Sequence, residues 1–180
     1  MKAVLDACVL YPTLLREILL GAAEAGFYAP VWSARIVEEW RRAAVRRDPL
    51  APADVEIADA TRRFPAAEVA VPAGIEARLS LPDPLDVHVL ACAVAAGAGA
   101  VVTTNLRDFP GRTLAHEGVV PRHPDSLLTE FHGDAPEALA GVVATALHDL
   151  RAATGADAPD RALLKRAALP RLGRAIAGHA

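Results

Sequence analysis

The chain reads as an α/β domain built on a parallel sheet, followed by a helical extension, and three features of the sequence point there. Short apolar runs alternate with helix-period segments over roughly the first 130 residues, the pattern that parallel sheets with crossover helices require. The run Ala100 to Thr103 is apolar without alternation, as expected of a strand buried on both faces. Beyond Gly133 that alternation stops, and helical periodicity continues without strands. The expected division is therefore a domain over residues 1–133 and a helical extension over 134–180.

The elements follow in order. Lys2 to Leu5 is a short interior strand that ends at Asp6. Pro12 to Ala25 is a helix with Leu14, Leu15, Ile18, Leu19 and Ala22 on one face, closed by Gly26. Phe27 to Val31 is a second strand. Ser33 then caps a helix that runs to about Arg47. Asp54 to Phe64 is a further helix, and Glu68 to Val71 a short strand. Pro84, at a first helical position, opens a helix apolar almost all round, and Gly97 to Gly99 ends it. After the strand Ala100 to Thr103, another strand is expected near Val119 to Pro121 and a helix at Pro124 to Phe131. Pro136 to Ala153, Pro159 to Leu169 and Pro170 to Ala177 form the three helices of the extension.

Composition narrows the classes. Hydrophobic residues make up 53% of the 180 and charged residues 23%, a globular balance. Aromatics are only 4%, so Ala, Val and Leu must build the core. The N-terminus carries an acid at Asp6 and does not resemble a secretory signal, and no stretch of 18 apolar residues suggests a membrane span. The expected location is the cytoplasm, with Cys8 and Cys92 reduced and buried. The net charge of −3 excludes nucleic-acid binding by bulk charge alone, so any such role needs a local basic patch or bound cations.

The acids are the informative residues. Asp6 follows the first strand, while Asn105 and Asp108 follow the strand Ala100 to Thr103. In open α/β sheets ligands bind beyond the carboxyl ends of the strands, so these groups reach one edge. Asp83 precedes Pro84 and suits a helix cap; Asp86, three residues on, completes a capping box less well than Glu or Gln would. On the helix after Ser33, Ile36, Val37, Trp40, Ala43 and Ala44 form the apolar stripe. Glu39 flanks that stripe, whereas Glu38 points away and suits an ion pair with Arg42 four residues on. Asp6, Glu39, Asp86 and Asp108 are thus expected to converge, with Asp83 and Asn105 beside them. Crowded carboxylates repel unless protons or cations intervene, and an all-oxygen set suits magnesium or manganese better than zinc. Two such ions roughly 4 Å apart serve phosphodiester cleavage.

LDACVLYP, SARIVEEW, LPDPLDVHVLACA and VVTTNLRDFPG, in that order, resemble the four acidic motifs of the PIN domain, and in particular the branch that includes VapC-type toxins. The resemblance spans about Met1 to Phe131 and implies a flavodoxin-like, doubly wound parallel sheet (α/β/α) with metal-dependent ribonuclease activity. It makes Asp6 the first family acid, Glu39 the helix acid, Asp86 the third and Asp108 the fourth. Thr103 and Asn105 fall in the polar signature before the fourth, and Asp83 is an additional acid found in part of the family. These four acids are the implied catalytic and metal-holding groups, with Mg2+ or Mn2+ as cofactor and RNA as substrate. A toxin role further implies a cognate antitoxin, and the helical tail suits either that partner or a second copy in a dimer.

Other features carry a plainer reading beside a functional one. Arg41, Arg42, Arg46 and Arg47 form the one basic run, either a solvated helix face or a phosphate track. His88 is expected to pack with a single hydrogen bond, its alternative being a proton carrier. A haloacid-dehalogenase-like phosphatase would need a second Asp two residues after Asp6, where Cys8 stands. A non-catalytic, metal-stabilised RNA-binding module is the other reading of the same acids.

Overall fold

The computed structural model describes residues 1–50 and 52–178. Its sheet has four parallel strands in the order β2-β1-β3-β4: β1 (Lys2–Leu5), β2 (Ala29–Val31), β3 (Ala100–Val102) and β4 (Val120–Arg122). The register sets Val4 opposite Val31 on one side and Val101 on the other. β1 and β3 are central, and beyond the exposed Lys2 they are built from buried Ala, Val and Leu, as a strand covered on both faces demands. This is the flavodoxin-like start of strand order, with its switch point between β1 and β3.

The helices are α1 (Ala7–Leu10), α2 (Thr13–Glu24), α3 (Ala34–Arg47), α4 (Ala53–Arg63), α5 (Val87–Ala96), α6 (Gly111–Ala115), α7 (Pro124–Asp134), α8 (Pro136–Thr154), α9 (Asp160–Arg166) and α10 (Pro170–Ala177). The predicted α/β class with C-terminal helices is thus observed. Among the described residues, no helix is long and apolar enough to cross a membrane.

Several predicted elements change in detail. Glu68 to Val71 is not a strand: only an isolated parallel bridge joins Trp32 to Glu68, and no second run of ladder bonds follows in the Pro-containing stretch beyond it. The helix opened by Pro84 begins as one 3-10 turn, Pro84–Asp86, before α5 proper. The strand predicted as Ala100 to Thr103 ends at Val102, although the Thr103 amide still donates to the Arg122 carbonyl. Short helices α1 and α6, and a 3-10 turn at Glu76–Arg78, had no sequence signal strong enough to place them.

The chain groups into two compact units. The first holds Met1–Tyr11 and Tyr28–Arg122, and therefore the entire sheet. Here α5 packs on β1, β2 and β3, and its apolar face is wide enough that His88, Val89, Leu90, Ala91, Cys92 and Ala93 are all buried. Gly97 stops the helix in the left-handed conformation, at φ 61°, and lets the chain turn directly into β3.

The second unit holds Pro12–Phe27 and His123–Ala180, so α2 groups with the C-terminal helices. Phe27 stacks on Phe131 with ring centroids 5.0 Å apart. Gly21 is where α2 meets α8, because a Cβ there would approach Val142 Cγ1 to 2.7 Å. The buried Asp125 carboxylate accepts the backbone N–H groups of Arg171 at 3.0 Å and of Leu172 at 2.9 Å. These are orphan donors of the first turn of α10, so one side chain of α7 caps a helix far away in sequence. Asp125→Ala is expected to cost about 1–3 kcal/mol through unsatisfied buried donors, read as a lower denaturation midpoint in urea; an unchanged midpoint contradicts the cap.

Candidate metal centre

Asp6 is placed by backbone before its side chain does anything. Its amide donates to the Val102 carbonyl at 3.1 Å, which extends the β1–β3 pairing by one residue. The carboxylate is then held from β3: Thr103, fully buried, donates its hydroxyl to Asp6 Oδ2 at 2.7 Å. Cys8 donates its thiol to the same oxygen at 3.0 Å. Cys8 Sγ also accepts from the Thr104 amide at 3.3 Å and its hydroxyl at 3.2 Å. Burial, first, and then the neighbouring Asp6 charge push this thiol up to about 11, so it remains a hydrogen-bond donor at neutral pH. Cys8 was expected only as a small buried residue. It is instead half-buried in α1, and its place two positions after Asp6 was the one signal of a role.

The loop after β3 supplies the opposite side. Thr103 Oγ1 accepts from the Asn105 amide at 3.0 Å, and Asn105 Nδ2 donates to Asp108 Oδ2 at 2.7 Å. Arg107 Nε lies 3.2 Å from Asp108 Oδ1. Arg107 and, after it, Asn105 hold the Asp108 carboxyl below the usual carboxylate range. Thr103 and Asn105 thus form a relay of hydrogen bonds that links Asp6 to Asp108.

Asp83 and Asp86 come from the turn before α5. Asp83 Oδ1 accepts from the Leu85 amide at 2.9 Å, the capping role read from the sequence. Asp86 is different: its Oδ2 is buried and has no hydrogen-bond partner, so that oxygen does not serve a capping box. One oxygen each from Asp83, Asp86 and Asp108 lies within 4.8 Å of the others. Burial, followed by the charges of Asp6, Asp83 and Asp108, raises the Asp86 carboxyl to about 6. Asp6 therefore acts on this group electrostatically, while the tight trio is Asp83, Asp86 and Asp108.

Glu39 is not one of these three. Its Oε1 lies 2.9 Å from His88 Nε2 and 3.7 Å from Arg35 Nε. The His88 approach is at ion-pair distance but forms no hydrogen bond, and neither ring nitrogen has a hydrogen-bond partner. His88 is packed as expected, at 2% exposure, but lacks the single hydrogen bond that was expected with it. Glu39 thus stands outside the trio, tied to α5 through His88. Of the basic run, Arg41 and Arg42 both bind Glu38, at 2.6 and 2.8 Å, and Arg41 also binds Asp54. Arg46 and Arg47 lie exposed in the last turn of α3.

The donor set fits a hard divalent cation. It is all oxygen, its charges repel, and a buried carboxylate oxygen is left without a proton donor. Without a cation the repulsion acts on stability, with a definite sign. The folded-state value of Asp86, about 6, exceeds its ordinary 3.8, so the unfolded chain loses this proton first as pH rises. Stability is therefore highest below about pH 4 for this group and falls through pH 6. In chelator, Asp86→Asn should gain stability relative to wild type between pH 4 and 7, measured by urea denaturation; a parallel pH dependence in both proteins contradicts the assignment.

A family model described as the PIN domain matches residues 2–107. That range contains Asp6, Glu39, Asp83, Asp86, Thr103 and Asn105 and stops one residue short of Asp108. No curated protein and no solved structure matches. The matched range covers more than half of the 180 residues, and the parallel sheet with acids at its carboxyl edge agrees with it. The chain belongs to the PIN domain family, whose members are generally nucleases.

Proposed function

We propose that the protein is a metal-dependent endoribonuclease of the VapC-like kind, the toxin half of a toxin–antitoxin pair that works in the cytoplasm. The observation that carries the reading is the buried, unpartnered oxygen of Asp86 within a group of three carboxylates in a PIN domain. In this reading Asp86, Asp108 and Asp83 hold Mg2+ or Mn2+, with Asp6 completing the negative wall. The bound cation supplies Lewis acidity for phosphodiester hydrolysis.

The chain's own groups have separate tasks. Thr103 and Cys8 fix one oxygen of Asp6 and leave the other available. Asn105 orients Asp108, and Arg107, whose side chain is 88% exposed, holds that carboxylate ionised while reaching solvent where a phosphate approaches. Glu39, half-buried and in contact with His88, is assigned the orientation of the attacking water and the uptake of its proton. The C-terminal helices provide the surface for an antitoxin or for a second copy in a dimer.

Purified protein should cleave single-stranded RNA in Mg2+ or Mn2+, and EDTA should stop it. Asp6→Asn should lower the rate by about two orders of magnitude or more, the scale of one lost electrostatic group in a preorganised site. Cleavage that survives both treatments excludes the mechanism, and RNA binding without any cleavage favours a scaffold role instead. For the RNA track, Arg46 and Arg47 are better placed than Arg41 and Arg42, which are paired with Glu38 and Asp54. Reversing Arg46 and Arg47 to Glu should weaken RNA binding and reduce its salt slope by roughly one for each phosphate no longer neutralised; unchanged affinity at low salt removes this surface from the interface.

A further inference from the structure

The first unit has a second concavity, of about 170 Å³, formed by the N-terminus of α3, the extended stretch Val69–Val71, the 3-10 turn at Glu76 and α5. Its wall includes His88, Ser33, Arg35, Val69, Val71 and Glu76. We propose that this concavity is a subsite for a single unstacked nucleobase, guanine before the others, next to the scissile phosphate; the inference rests on RNA being the substrate.

Several independent observations point to a ligand. His88 is only 2% exposed; its Nδ1 has no hydrogen-bond partner, and its Nε2 lies 2.9 Å from Glu39 Oε1 without forming a hydrogen bond. A neutral imidazole brings one donor and one acceptor in either tautomer, and such groups are rarely left orphaned inside a protein. The cavity lies well below the ~300–1,000 Å³ of a drug-sized pocket, so it takes one planar ring system and no more. Val69 and Val71 give it apolar walls; the Val69 amide makes the last bond of the Trp32–Glu68 bridge, and Val71 lies beyond it.

Arg35 stands at the rim with three long contacts: Glu39 at 3.7 Å, Glu76 at 3.4 Å and the Leu85 carbonyl at 3.4 Å. All are long, and the side chain is 47% exposed, so exchanging them for a stack over a base costs the guanidinium little. Stacking on an Arg plane with hydrogen bonds to the Watson–Crick edge is how proteins read single-stranded RNA. Glu76 only accepts hydrogen bonds, and guanine offers it two neighbouring donors where uracil offers one. The link to the acidic group is direct in sequence and space. Arg35 touches the carbonyl of Leu85, beside Asp86, and His88 touches Glu39.

The test is a nuclear magnetic resonance titration of the full chain with guanosine, adenosine, cytidine and uridine, in chelator. Guanosine should shift the His88, Val69 and Val71 signals saturably, several-fold more tightly than uridine. Ala70→Trp places an indole at the mouth from an exposed position and should weaken binding by about tenfold or more. Glu76→Gln should remove the guanosine preference while leaving the other nucleosides unchanged. No saturable shift with any nucleoside, equal binding of uridine, or undiminished binding by Ala70→Trp overturns the subsite. None of these readouts needs a cation or turnover. Absent RNA cleavage with intact guanosine binding therefore rejects the hydrolytic reading alone.

Discussion

Carboxylates that would repel each other in water are held together here by the backbone that carries them. β1 and β3 are hydrogen-bonded neighbours, and both end at the same edge of the sheet. Asp6 leaves one strand while Asn105 and Asp108 leave the loop of the other. The turn before α5 brings Asp83 and Asp86 to the same place, because α5 packs directly on β1 and β3. The cost falls on Asp86, whose carboxyl is lifted to about 6 by burial and by three neighbouring charges. An arrangement that opposes its own ionisation is a poor stabilising device and a good cation site.

Around that conflict, the remaining polar groups act as fasteners. Thr103, Cys8 and Asn105 form a chain of hydrogen bonds from Asp6 to Asp108, with Thr104 bound to the same sulfur. Each has its partners satisfied, in contrast to Asp86 and His88. Such a contrast separates groups that position others from groups that await a partner. Asp86 and His88 lie two residues apart, Asp86 at the end of the 3-10 turn among the acids and His88 in the first turn of α5 against the smaller cavity.

Much of the fold was legible because burial and periodicity agree. β1, β3, α2, α3 and the C-terminal helices stood close to their predicted bounds, each signalled by an apolar run or a cap such as Ser33. Glu68 to Val71 failed because a short apolar run cannot reveal whether a partner strand is present. Within the site, the order of acids along the chain was readable, and so was the Glu38–Arg42 pair. The setting of Glu39 against His88 was not, since a helical angle gives a direction but not which residue of α5 meets it. Cys8 was missed because its importance comes from Thr103 and Thr104, almost a hundred residues away. The grouping of α2 with the C-terminal helices depends on approaches such as Gly21 to Val142, which no local pattern encodes.

The central claim is that these acids share one cation-binding centre in which Asp86 is indispensable. Calorimetric titration of the metal-free protein with Mn2+ addresses it directly. Saturable uptake by the wild type, with proton release at pH 6 that disappears together with binding in Asp86→Asn, is the predicted result. No uptake by the wild type, or equal uptake by the variant, would contradict it.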